Sequence, residues 1–187
     1  MRAFIAIELP HQVQAALRRL QQELAQATMD VKWVEQENLH VTMRFLGDIT
    51  EEQRRGIEQA LARVAAQTPA IDAQLSQLGT FPPMPSLRVI WAGVGQGATA
   101  LERLAELLEG EVRAVGIPED EKPFVAHVTL GRVRFPKPRP QLLERIQQMA
   151  WTPPPPFLLT HLTLFQSTLS SAGPTYAALV RAPLRTA

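Results

Sequence analysis

Two stretches of this chain share a phrase and a register. Residues 38–47 read NLHVTMRFLG and residues 124–132 read FVAHVTLGR, so His-Val-Thr followed by an apolar residue occurs at His40 and again 87 residues later at His127. The same offset carries Phe4 onto Trp91, Thr50 onto Lys137 and Ile71 onto Leu158. One constant offset therefore aligns strand, helix, His-bearing strand, helix and strand, which marks an internal repeat. The simplest account is a duplicated β-α-β-β-α-β-like unit. The expected architecture is α+β, with residues 1–187 forming one domain of two similar halves related by a pseudo-twofold axis.

Local patterning agrees with that order. Apolar residues at helical spacing predict four helices: Val13, Leu17, Leu20 and Leu24 after His11; Ile57, Leu61 and Val64; Leu101, Leu104, Leu108 and Val112; and Leu142, Leu143, Ile146 and Met149. Thr50 with Gln53 three residues on has the form of a capping box for the second. Between the helices lie strand-like runs at 2–9, 31–34, 39–46, 70–78, 87–94, 125–135, 157–167 and 175–182. Proline-rich breaks at 81–85 and 151–156 should be extended linkers.

Bulk properties exclude several classes. Net charge is +1, so no global field calls for a nucleic-acid or membrane partner, and any basic footprint must be local. There is no cysteine, which excludes disulfides and thiolate catalysis and fits a reducing cytoplasm. The N-terminal apolar run is broken by Glu8 and Pro10, too short for a signal-peptide core. No stretch reaches the ~18 apolar residues of a spanning helix. The expected protein is soluble and cytoplasmic, with no membrane partner.

On a strand, residues two apart project the same way, so each phrase sets an imidazole beside a hydroxyl while Val41, Met43, Val128 and Leu130 turn to the other face. A lone His-x-Thr usually just lines a polar strand. His161-Leu162-Thr163-Leu164 fits the pattern as well, but it lies outside the repeat register and reads as a surface strand residue; His11 reads as solvated at a helix start. A zinc site would need a third ligand and His-x-x-x-His or cysteine spacings that are missing. No Gly-x-Ser-x-Gly elbow and no phosphate-cradling Gly-Lys loop occurs. No metal and no cofactor is therefore expected.

A pair of imidazoles suits in-line displacement at phosphorus, one neutral as base and one protonated as acid near neutral pH. Thr42 and Thr129 could donate to phosphate oxygens, and Arg132 could clamp developing charge. Strict alternation puts Arg132 on the face away from His127, so a bulge at Gly131, or the end of the strand there, would be needed.

These phrases resemble the 2H phosphoesterases, specifically the RNA 2′,3′-cyclic phosphodiesterases once called 2′-5′ RNA ligases. MRAFIAI, ENLHVTMRFLGDIT, RVIWAGV, FVAHVTLGRV and STLSSAGPTY carry the resemblance over nearly the whole chain. It implies a bilobal fold with two antiparallel sheets facing across a central cleft and helices packed outside. It also implies hydrolysis of a terminal RNA 2′,3′-cyclic phosphate to a 2′-phosphate. The expected partners are RNA ends such as tRNA fragments or short oligonucleotides, and the expected state is a monomer. By motif, His40 resembles the proton donor, His127 the proton acceptor, Thr42 and Thr129 phosphate anchors, Arg132 a catalytic arginine and Phe45 a residue packing near the nucleotide. Arg44 departs from the small residue or lysine common in relatives and is expected at the cleft mouth or in solvent.

Several readings stay open. The same imidazoles run in reverse would ligate a cyclic phosphate to a 5′-hydroxyl; a non-catalytic RNA-end binder would keep the fold alone; a small cyclic phosphate or a 2′-5′ oligonucleotide would suit a short cleft. Arg132, Arg134, Lys137 and Arg139 could track an RNA backbone or form a solvated loop. Trp33 and Tyr176 could stack on a base or pack in the core.

Overall fold

The structure is a computed structural model that describes residues 1–28, 30–135 and 139–186. Its elements run β1 (Arg2–Glu8), α1 (His11–Ala25), β2 (Val31–Trp33), β3 (His40–Asp48), α2 (Glu51–Gln67), β4 (Ile71–Ala73), β5 (Leu75–Phe81), β6 (Val89–Val94), α3 (Ala98–Ala114), β7 (His127–Val133), α4 (Pro140–Gln148), β8 (Phe157–Leu159), β9 (His161–Ser170) and β10 (Gly173–Pro183). The fold is α+β and its strand pairs are antiparallel.

Each helix forms where its apolar stripe predicts it. In α1 the residues Val13, Leu17, Leu20 and Leu24 are buried, and Gln14 and Gln21 are buried among them. α2 begins with the capping box: Thr50 Oγ1 accepts from the Gln53 N–H at 3.1 Å and Gln53 Oε1 accepts from the Thr50 N–H at 2.9 Å. That satisfies two donors the first turn cannot pair internally.

Strand order is β10-β9-β1-β3-β7-β6-β5, with β2 added to β7. The sheet is nearly two sheets. β3 and β7 pair only at Val41 opposite Val128. One half is therefore β10-β9-β1-β3, the other β7-β6-β5 with β2. A separate ribbon pairs β4 with β8, Ile71 opposite Leu159.

Two runs expected as continuous strands are each broken in two. The chain at 70–78 leaves the β4–β8 ribbon at Gln74 and enters the large sheet as β5; the chain at 157–167 does the same at Thr160. Main-chain bonds pin both corners, Gln74 N–H to Gln96 O at 3.1 Å and Leu184 N–H to Thr160 O at 2.8 Å. Patterning alone cannot reveal such a break, because every segment remains extended and half apolar.

The helices cross between halves. α1 packs on β7 and α3 on β3, so each His-bearing strand is backed by the helix that precedes the other one in the repeat order. A single core joins Ile5, Ile7 and Val41 to Ile90, Val128 and Leu130, all fully buried. A smaller apolar cluster of Phe4, Ala6 and Phe165, with Tyr176 against it, is separate from that core.

Close approach of β2 to β7 demands glycine at 131. A Cβ there would lie 2.6 Å from Val31 Cγ1 and 2.9 Å from Trp33 Cε3. Gly131→Ala should cost about 1–3 kcal/mol through overpacking, read as a lower midpoint in denaturant unfolding; an unchanged midpoint would mean the strands part without strain.

No helix among the described residues is long and apolar enough to cross a membrane.

Candidate active site

His40 and Thr42 flank Val41, and His127 and Thr129 flank Val128. Val41 and Val128 face each other across the junction of the halves and are fully buried. Alternation then turns all four polar side chains to the opposite face. Antiparallel pairing about that junction sets His40 diagonally from His127, with each threonine beside its own histidine. The two phrases, far apart in sequence, thus form one constellation.

Main-chain carbonyls orient the rings. His40 Nδ1 lies 2.5 Å from Asn38 O, and His127 Nδ1 lies 2.6 Å from Val125 O. A carbonyl only accepts, so Nδ1 carries the proton in both rings and Nε2 is left for chemistry. His40 Nε2 is 2.9 Å from Thr42 Oγ1, which donates to it when the ring is neutral.

Aromatic rings wall each imidazole. Phe4 stacks on His40 at 5.1 Å between centroids and Tyr176 presents an edge at 5.8 Å. Phe81 and Trp91 present edges to His127 at 5.2 Å and 5.9 Å. The small apolar cluster is therefore the wall behind His40.

Burial has electrostatic consequences. It pushes the His40 imidazole down to about 4, against the pull of the Asn38 carbonyl and the Glu8 carboxylate, with the charge of His127 pushing further down. Burial also lowers His127; the Val125 carbonyl opposes this and the positive Arg132 adds to it. Burial raises the Tyr176 phenol, with Arg132 and Arg2 opposing. For a His held below its ordinary value near 6.5, the unfolded chain binds a proton that the native state refuses. Stability is thus complete above pH 6.5 and falls as pH drops from 6.5 toward 4, at most about 1.4 kcal/mol per unit for one proton. Denaturant unfolding at pH 7 and pH 5 should show His40→Gln losing less stability on acidification than the parent; equal losses would mean that His40 titrates alike in both states.

Arg132 reaches the His127 face through a bulge, but not where alternation suggested. Ile90 pairs with Gly131 and Trp91 with Thr129, which leaves Leu130 as the extra residue. β3 has the matching irregularity. Ile5 pairs with Arg44 and Ala6 with Thr42, leaving Met43 extra. Met43 and Leu130 are equivalent under the 87-residue offset, as are the residues they turn over, Phe45 and Arg132. Phe45 stands 58% exposed with its ring 6.1 Å from Phe4, on the His40 face.

Other candidates are elsewhere. Arg44 is neither at the cleft mouth nor in solvent. It is buried, with Nε 2.5 Å and Nη2 3.1 Å from the Glu109 carboxylate on α3 and Nη2 2.5 Å from Pro118 O. The bulge at Met43 sends it inward, and Glu109, distant in sequence, neutralises it. Trp33 packs against the core. His161 is exposed at the start of β9, its Nδ1 2.8 Å from Thr160 Oγ1. In the basic strip, Arg139 is buried and 3.8 Å from Asp30 Oδ2, so it does not track a polyanion; Lys137 lies outside the described residues. Sequence reasoning missed the walls of Phe4, Phe81, Trp91 and Phe165. One signal was available, since Phe4 and Trp91 are aromatic at equivalent positions. Among the described residues no group of three His, Asp or Glu side chains is placed to hold a metal ion.

The family described as LigT like phosphoesterase matches twice, over residues 7–91 and 93–176. The chain is 32% identical over 163 residues to the RNA 2′,3′-cyclic phosphodiesterase of Aeropyrum pernix, spanning 87% of this chain and 92% of that protein. It is 34% identical over 192 residues to the protein of the same name from Thermus thermophilus, spanning 99% and 91%. A crystal structure of a Thermus thermophilus protein superposes with a TM-score of 0.83 at 32% identity, covering 100% of this chain and 99% of that one. Escherichia coli LigT complexed with 3′-AMP, at 24% identity, shares the fold with a TM-score of 0.77, covering 98% and 97%. The chain belongs to the LigT-like phosphoesterase family.

Proposed function

We propose that this enzyme hydrolyses the terminal 2′,3′-cyclic phosphate of RNA to a 2′-phosphate by metal-independent acid–base catalysis between His40 and His127. The observation that carries this reading is the tying of both Nδ1–H groups to main-chain carbonyls, which leaves an Nε2 from each half to act at one phosphorus. His127 takes a proton from water as the water oxygen bonds to phosphorus. His40 gives a proton to the 3′ oxygen as its bond to phosphorus breaks, and exchange with solvent resets both rings. The names of the relatives support the substrate.

The charges beside the rings, unlike their burial, favour this direction. The Arg132 charge disfavours protonated His127, as suits a base, and the Glu8 carboxylate favours protonated His40, as suits an acid. Desolvation holds His40 neutral in the free protein. A phosphodiester anion bound against it offsets that penalty, so the acid acquires its proton together with its substrate. Thr42, Thr129 and Arg132 hold the non-bridging oxygens, and Phe45 packs against the terminal nucleotide. The unit is one bilobal domain made of two copies at an offset of 87 residues, acting as a cytoplasmic monomer.

The test is product identity. An oligonucleotide ending in a 2′,3′-cyclic phosphate should become a 2′-phosphate, with no 3′-phosphate. A 2′-5′-joined product in the presence of a 5′-hydroxyl strand, exceeding hydrolysis, would make ligation the main activity. Binding without conversion would reduce the site to an RNA-end binder.

A further inference from the structure

Leu130 is the residue left over when β7 pairs with β6, and its displacement brings Arg132 to the His127 face. The carbonyl of the bulged Leu130 is held from the β2 side and not by β6. Two donors hold it. Val34 N–H donates from the chain just past β2 at 2.9 Å, and Gln21 Nε2 donates from α1 at 2.9 Å. The same Gln21 amide donates to Val34 O at 2.9 Å, so one side chain pins the bulge to the strand beside it.

Gln21 is an unusual choice for that place. It is fully buried on the face of α1 that carries Leu17, Leu20 and Leu24, where an apolar residue would normally sit. Its Oε1 is buried with no hydrogen-bond partner among the described residues, an uncompensated cost. A residue kept only for packing would not need the amide. The other half has a parallel arrangement: the buried Arg44, next to the Met43 bulge, is held by Glu109 of α3 and donates to the carbonyl of Phe45. Each His-bearing strand is thus gripped beside its bulge by a polar side chain of the helix packed behind it.

We propose that Gln21 is a positioning residue for Arg132: its amide fixes the Leu130 bulge, and the bulge sets the guanidinium beside His127. The catalytic consequence rests on the two-histidine reading, but the placement itself is read without substrate. Gln21→Met keeps the volume and also removes the unpaired oxygen, so the fold should survive. Should it not fold, Gln21→Asn retains the amide but falls one methylene short of both carbonyls and is used in its place.

The experiment is a double-mutant cycle read by the NMR titration of His127 in the free protein, with His40 as internal control. Arg132 is the charge acting on His127, and Glu8 and His127 are the charges acting on His40. Arg132→Ala should raise the His127 titration point, and Gln21→Met should raise it by part of that amount. In the Arg132→Ala background Gln21→Met should move it no further, and His40, held down by the His127 charge, should not rise in any variant. Turnover of an RNA cyclic-phosphate end should fall by up to about 10²-fold in Gln21→Met and not fall again in the double variant. Equal shifts in both backgrounds, no shift, or a His127 indifferent to Arg132→Ala would overturn the proposal. A wild-type protein that turns nothing over would instead defeat the functional reading, and the titration would still decide the role of Gln21.

Discussion

His127→Ala should lower turnover of an RNA 2′,3′-cyclic-phosphate end by on the order of 10²–10⁴-fold, with the fold intact. The ring projects from a strand whose neighbours Val128 and Leu130 supply the burial, and its removal opens space on a face already partly exposed. On the proposed mechanism the loss is that of the base, whose Nε2 lone pair is defined by the bond from Nδ1 to Val125 O. His40→Ala should cost a similar factor through loss of the acid. If both groups act in one step, as proposed, the double variant should be far less damaged than the product of the single losses. His161→Ala is the matched control. That ring stands exposed on β9 with a local threonine partner, and its loss should leave turnover within experimental error. A large loss there would mean the wrong pair has been identified.

Arg132→Ala should cost about 10²–10³-fold in kcat, the range expected for one preorganised donor to developing charge. Arg132 is exposed, so little stability goes with it. Lysine at this position should recover only part of the activity, because an ammonium supplies charge without the planar fork that grips two oxygens. A loss confined to KM, with kcat unchanged, would make Arg132 a binding group that holds ground state and transition state alike. The substitution should also raise the His127 titration point, since the guanidinium charge holds it down.

Much of this arrangement was legible in the chain. The repeated phrase gave the two histidines and their threonines, helical spacing gave four helices, and Thr50 with Gln53 gave the start of α2. What escaped depends on pairing between distant segments. The bulges at Met43 and Leu130 exist because β1 and β6 run one residue short against them, which alternation within β3 or β7 cannot express. The burial of Arg44 awaited Glu109, and the aromatic wall behind His40 awaited Phe165 from β9. Corners at Gln74 and Thr160 were hidden because a strand that changes sheets keeps its apolar pattern.

The most direct measurement is the pH dependence of kcat/KM, with EDTA present, for wild type and for each histidine variant on an RNA cyclic-phosphate end. A neutral base and a protonated acid give a bell whose limbs belong to the coupled pair. Burial lowers both imidazoles in the free protein, so the bell in kcat/KM should centre below pH 6.5. The kcat profile, which reports the complex, should centre higher because the bound phosphodiester favours the imidazolium. Two-histidine catalysis predicts that displacement, activity undiminished by EDTA, and loss of the bell in either variant. A flat wild-type profile between about pH 5 and 8, where an unshifted pair would also titrate, or abolition by EDTA, would contradict it.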